Sequence, residues 1–244
     1  MACRYKVEIS YDGTLFYGLE KQIEKRTIEG EIEKSFYQLL KHNVKIVSSG
    51  RTDRFVHAYG QVFHVDLEEN IPPSGLKRGL NSVLPDDIYV LSCEIVDDNF
   101  HARFSVKNKE YHYLINTGDY DPLKRNYMIF QKNLDIPLMK KALKLFEGTH
   151  DFKAYASNQI DKRKPTIRTI YYTDLKYEDN LIKIIFNGDG FLKYQVRRMV
   201  ALLIDIALHK EDISRINEVF KLNDPKVIHK SAKGCGLYLY KVNY

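Results

Sequence analysis

Tyr5, Val7, Ile9 and Tyr11 alternate with Lys6, Glu8 and Ser10. That period of two predicts a half-buried strand over residues 4–11. A polar, glycine-containing loop runs from Asp12 to Arg26. Ile28, Ile32, Phe36, Leu39 and Leu40 then recur at helical spacing, with Thr27 placed to cap the helix. Two short strands are predicted around 45–49 and 61–67. Pro72-Pro73-Ser74 opens a second helix through Leu76, Leu80, Val83 and Leu84, with Ser74 as its cap and Pro85 as its stop. Ile88 to Val96 reads as a strand, and so does Lys109 to Ile115, with Tyr111 and Tyr113 on one face and His112 and Leu114 on the other. Asp135 opens a helix through Leu138, Ala142, Leu145 and Phe146 that ends at Gly148. Strands over about 167–177 and 181–187 are joined by a hairpin-like Glu178-Asp179-Asn180 turn. A long helix is predicted from Phe191 to Leu208, a shorter one from Ile213 to Leu222, and a last strand from Gly236 to Val242.

The order strand, helix, strand, strand, helix, strand occurs once and then again in similar form. It predicts an α+β fold of two halves, each with helices packed on antiparallel sheet. The boundary falls near 105–108, giving an N-terminal domain over 1–105 and a C-terminal domain over 106–244.

Composition changes this picture little. The chain has 244 residues, 44% hydrophobic and 29% charged, as expected of a globular protein with a real core. It has no apolar run long enough for a transmembrane helix, and its first residues lack the apolar stretch of a signal peptide. Cys3, Cys93 and Cys235 are too few and too scattered for a disulfide framework or a zinc site, which fits a reducing cytoplasm. His57, His64, His101, His112 and His150 show no helical metal-binding spacing. No dinucleotide loop or P-loop lysine motif is present. The net charge of +6 permits a polyanionic partner without demanding one. The basic run Asp161-Lys162-Arg163-Lys164-Pro165 reads equally as a solvated turn or a phosphate contact.

One loop carries chemistry. Gly50-Arg51-Thr52-Asp53-Arg54-Phe55-Val56-His57-Ala58 sits between two strands. Asp53 can serve there as a nucleophile or base, with Arg51 holding it ionised. By itself this pattern fits a turn-closing aspartate better. Further blocks change that balance. Gly50-Arg51-Thr52-Asp53 with Val56-His57-Ala58 resembles the signature of the tRNA pseudouridine synthase A family. Asp12-Gly13-Thr14 with Phe16, Gly18 and Gln22 is similar to the family's N-terminal block. Ala102-Arg103-Phe104-Ser105 and Lys109-Glu110-Tyr111-His112-Tyr113 are similar to its central block. Gly148-Thr149-His150-Asp151-Phe152, Arg168-Thr169-Ile170, Gly188-Asp189-Gly190-Phe191-Leu192 with Val196-Arg197, and Gly236-Leu237-Tyr238-Leu239 follow in the family's order.

The resemblance implies two related α/β halves sharing one continuous antiparallel sheet flanked by helices, with a basic RNA-binding cleft across it. It implies a cytoplasmic homodimer that isomerises uridine to pseudouridine at positions 38, 39 and 40 of the tRNA anticodon stem-loop, without metal or organic cofactor. Asp53 aligns with the catalytic aspartate. Arg197 aligns with an arginine that pairs with it, and Tyr111 with a tyrosine that meets the target base. Arg51 is a candidate contact for RNA phosphate.

The chain departs from the family's pattern at three places. Arg54-Phe55 stands where Ala-Gly is usual, Leu19 where tryptophan is usual, and Lys233-Gly234 where an apolar, proline-containing stretch is usual. If the Phe55 position needs positive φ, its side chain strains the loop. Two rival readings share parts of this evidence: a tRNA-binding protein or RNA chaperone of the same fold, and a glycosidase-like hydrolase. The hydrolase needs a second carboxylate near Asp53, whereas the signature supplies basic and aromatic neighbours.

Overall fold

The computed structural model describes residues 3–158 and 165–244. The chain divides into two compact units, one of Met1–Lys107 with Tyr238–Tyr244 and one of Asn108–Leu237.

The first unit begins with β1 (Cys3–Tyr11), α1 (Ile28–Leu40), β2 (Val47–Ser48), β3 (His57–Leu67), α2 (Pro73–Asn81) and β4 (Ile88–Val96). β1 lies antiparallel between β3 and β4, and its alternating residues Tyr5, Val7, Ile9 and Tyr11 are buried, as their period predicts. Ile28, Ile32 and Phe36 of α1 and Leu76 and Leu80 of α2 are buried with them, and Phe36 meets Phe63 edge to face at 6.4 Å. Thr27 caps α1 as its position suggests, its side chain accepting from the Gly30 N–H at 3.3 Å. Ser74 does not cap α2. Pro72 takes the cap position with Pro73 inside, because proline suits a first turn whose N–H groups lack helical partners.

The second unit comprises β5 (Asn108–Asn116), β6 (Ile129–Phe130), α3 (Ile136–Leu143), β7 (Gly148–Asp151), β8 (Ile167–Glu178), β9 (Leu181–Gly188), α4 (Gln195–Ala207) and α5 (Arg215–Leu222). Its strands run β5–β9–β8–β7, all antiparallel, with β6 on β5. Phe146, Phe152, Tyr155 and Phe220 form an aromatic cluster, with Phe146 and Tyr155 5.3 Å apart. α4 starts at Gln195 rather than Phe191, because Tyr194 lies in the left-handed region at φ 69° and cannot continue a helix backwards. β6 and β7 are too short to show any period in the sequence.

The last strand, β10 (Leu237–Asn243), returns to the first unit and pairs with β3 at Tyr238↔His57 and Leu239↔Ala58. This pairing runs parallel, as does β5–β6, so the expectation of a wholly antiparallel sheet fails at these pairs among the described residues. A hairpin forces reversal, whereas a strand arriving after a long connection need not reverse. β3 starts four residues before the expected 61–67, and Gly60 does not break it. A Cβ at Gly60 would stand 2.8 Å from the Tyr240 carbonyl oxygen, so this glycine marks the close passage of β10. No helix among the described residues is long and apolar enough to cross a membrane.

One buried histidine serves the backbone. His64 is buried, and its Nδ1 accepts from the Ala102 N–H at 3.1 Å. Burial lowers its pKa below 6.5, helped by Arg4 and His101. Below pH 6.5 the unfolded chain therefore binds a proton that the folded chain refuses, so stability falls as pH drops from 7 to 5. Each unit of separation is worth about 1.4 kcal/mol. His64→Asn keeps an acceptor for Ala102 but removes the titration. Denaturant midpoints at the two pH values should differ less in that variant than in the native protein.

Candidate active site

In the first unit the site is built around a tight turn. The Val56 N–H donates to the Asp53 carbonyl at 3.2 Å, making Arg54 and Phe55 the central residues. Phe55 has φ 66°. A turn with positive φ only at its third residue is type II, where glycine is the usual occupant. The strain anticipated from the Phe55 substitution is therefore present, on the order of 1–2 kcal/mol for a side chain in that region.

The turn is clamped from several sides. The Tyr11 hydroxyl lies 2.7 Å from Thr52 Oγ1, and burial pushes the Tyr11 pKa up to about 12, so it stays a neutral hydrogen-bonding group. The Leu19 N–H donates to the Thr52 carbonyl at 3.1 Å. Gly18, at φ 97°, leads into this contact, and a Cβ there would come within 2.9 Å of the same carbonyl. On the far side, Gly13 donates its N–H to His57 Nδ1 at 3.1 Å, and the His57 ring stacks on Tyr238 at 4.7 Å. Buried Gln61 holds the start of the loop, accepting from Ser49 Oγ at 2.6 Å and donating to the Gly50 carbonyl at 3.0 Å. Asp53 is thereby held half-buried between the exposed Arg51 and Arg54. Arg51 pairs with Glu20 at 2.5 Å, a surface contact worth little against a competing phosphate.

The second unit presents the other two candidate residues, each in its own setting. Tyr111 lies on β5, is only 8% exposed, and meets the Phe191 ring edge-on at 5.1 Å. Arg197 lies on the first turn of α4. Its Nε donates to the Ala232 carbonyl at 2.7 Å, and its guanidinium stands 5.0 Å from the Tyr194 ring. Its neighbour Arg198, whose importance the sequence does not reveal, is the buried arginine of the pair. Arg198 donates to the carbonyls of Ala156 and Pro225 and to Asn158 Oδ1, tying α4 to two loops. Residues 161–164 of the basic loop lie outside the described residues. Among the described residues no three His, Cys, Asp or Glu side chains gather as a metal ion would require.

The family model for tRNA pseudouridine synthase matches residues 8–105 and 142–244. The chain belongs to the tRNA pseudouridine synthase A family. A protein named tRNA pseudouridine synthase A from Geobacillus sp. (strain WCH70) is 41% identical, with 100% of this chain and 99% of the relative covered. One of the same name from Oceanobacillus iheyensis is 38% identical, covering 99% and 96%. A third, from Ureaplasma parvum serovar 3, is 39% identical, covering 98% and 99%. Among solved structures, the crystal structure of a Cbf5-Nop10-Gar1 complex matches with a TM-score of 0.35 at 15% identity, over 81% of this chain and 54% of that one. As a member of the tRNA pseudouridine synthase A family, this chain is an isomerase that acts on uridine in tRNA. Asp53 and Arg197 fall within the matched segments, and Tyr111 falls between them.

Proposed function

We propose that the enzyme forms pseudouridine at positions 38, 39 and 40 of the anticodon stem-loop, with Asp53 as nucleophile and without a cofactor. The observation that carries this reading is the setting of Asp53, a half-buried carboxylate in a clamped turn flanked by two exposed arginines. A carboxylate suits a reaction that opens and remakes a bond at a sugar carbon. The C1′–N1 bond of uridine breaks, the uracil turns, and C5 bonds to C1′. C5 then loses its proton while N1 gains one, so the product is an isomer of the substrate. In this reading Arg197 keeps Asp53 ionised. Tyr111 meets the base and assists removal of the C5 proton. Arg51 exchanges Glu20 for RNA phosphate.

The target base must leave its stack, which costs roughly a few kcal/mol. Phosphate contacts from the basic residues offset that cost. One small cleft offers few such contacts, so the working form is taken to be a homodimer, acting in the cytoplasm.

The test uses unmodified tRNA transcripts and enzyme dialysed against chelator. Pseudouridine should map to positions 38, 39 and 40, with RNA mass unchanged and no uracil released. Free uracil would point to a hydrolase, and pseudouridine confined to other positions would overturn the site assignment.

A further inference from the structure

Next to Asp53 the first unit holds a stack of cations and rings. The Arg54 guanidinium carbon stands 4.3 Å from the centre of the Tyr17 ring and 4.3 Å from that of Phe55. The Lys25 ammonium lies 4.8 Å from the same Tyr17 ring. Both rings remain 38% exposed. Their backbones are fixed in advance. The Tyr17 N–H donates to the Arg26 carbonyl at 2.9 Å, and the Tyr17 carbonyl accepts from Gln22 Nε2 at 2.8 Å. Phe55 is fixed by the turn that closes on Asp53.

We propose that the Tyr17–Arg54–Phe55 stack is a binding platform for an unpaired base one or two nucleotides from the reacting uridine, and that it helps set which uridines are accepted. The proposal deepens the reading that Asp53 is the reacting group. Three observations carry it.

Phe55 is an apolar ring left exposed at a position whose backbone disfavours any side chain. Strain of that kind is kept where the surroundings impose it, and it gathers at ligand-binding sites. Planar guanidinium and aromatic faces are the groups on which proteins stack unpaired bases, at about 1–3 kcal/mol per base. Reach supplies the third. Two residues of chain span at most about 7 Å, a distance on the scale of one or two nucleotides of a strand. A base on Phe55 therefore adjoins the uridine at Asp53. The charges of Arg54 and Lys25 face the same RNA and favour its phosphates.

A cycle of protein and RNA changes tests the idea. The RNA is an anticodon stem-loop carrying one abasic nucleotide, placed in turn at the two positions on either side of the modified uridine. For the native enzyme, one of these abasic sites should raise KM about tenfold with kcat little changed. Phe55→Leu, which keeps bulk but loses the ring face, should show a similar rise on intact RNA and no further penalty from that abasic site. Phe55→Tyr should restore both values. Arg54→Ala combined with Phe55→Gly relieves the turn, so it folds even if Phe55→Leu does not. It should likewise lose sensitivity to the abasic site and change the relative rates at neighbouring uridines.

An unchanged KM in Phe55→Leu would overturn the platform. So would an abasic penalty that persists undiminished in the variants, or a loss of activity that only follows a lowered unfolding midpoint. Repeating the cycle as binding constants with Asp53→Asn separates the two readings. If pseudouridine maps elsewhere but coupling between Phe55 and a base remains, the positional assignment fails and the platform stands.

Discussion

Asp53→Asn is expected to abolish pseudouridine formation while leaving the fold and tRNA affinity in place. The substitution is nearly isosteric, and the bond that closes the turn uses the Asp53 carbonyl, which the change does not touch. The clamps on the turn belong to Tyr11, Leu19 and Gly13 through Thr52 and His57, so they also persist. What is lost is a negatively charged oxygen able to form a bond to carbon. An amide is a far poorer nucleophile and cannot take up the positive charge developing on the sugar. Loss of a nucleophile should lower the single-turnover rate by at least about 10⁴-fold, or roughly 5.5 kcal/mol in the barrier. The dissociation constant for tRNA should stay within about threefold, since phosphate contacts dominate affinity. A variant that retained a tenth of the native rate would show that Asp53 is not the nucleophile. A variant that lost tRNA binding as well would make Asp53 a structural residue of the loop.

Much of the first unit's fold is legible in the sequence. The alternation of Tyr5 to Tyr11 and the helical spacing from Ile28 to Leu40 translate directly into a strand and a helix with one buried face each. The strain at Phe55 could be anticipated by setting the chain against the family's Ala-Gly, because a position with positive φ is one of the places where glycine is strongly favoured. Other features were out of reach. The return of β10 to β3 depends on packing across most of the chain, and no local period encodes it. Arg197 and Arg198 are chemically identical neighbours, and only the carbonyls gathered around Arg198 make one of them a buried tie. The Tyr17–Arg54 contact is of the same kind. A ring and a guanidinium that are distant in sequence carry no mutual signal until a turn brings them together. His57 belongs to the signature, yet no sequence pattern tells that its Nδ1 is the acceptor that docks Gly13 against the turn.

That docking leads to the second large effect, at Gly13. An alanine there would place Cβ 2.1 Å from the Val56 carbonyl oxygen and 2.7 Å from its carbon. Both are backbone atoms of the turn that presents Asp53, so no side chain can swing aside to make room. Moving Val56 pulls on the 3.2 Å bond that closes the turn. Moving Gly13 instead breaks its 3.1 Å bond to His57. Either response leaves a buried polar group without its partner, at about 1–3 kcal/mol, on top of the steric cost. Gly13→Ala should therefore lose at least about 3 kcal/mol of stability. If it folds at all, it should be slower by about 100-fold, because the carboxylate is displaced by something like an ångström. Gly75→Ala is the matching control. It lies inside α2, where a new Cβ meets nothing closer than Ile71 Cγ2 at 3.6 Å, so it should gain about 0.5–1 kcal/mol and leave the rate unchanged. Denaturant unfolding and single-turnover rates on the two variants separate the causes. A general intolerance of added methyl groups would harm both. A turn held by direct backbone contact, with Asp53 placed by Gly13 through Val56, harms only the first and costs it activity as well as stability.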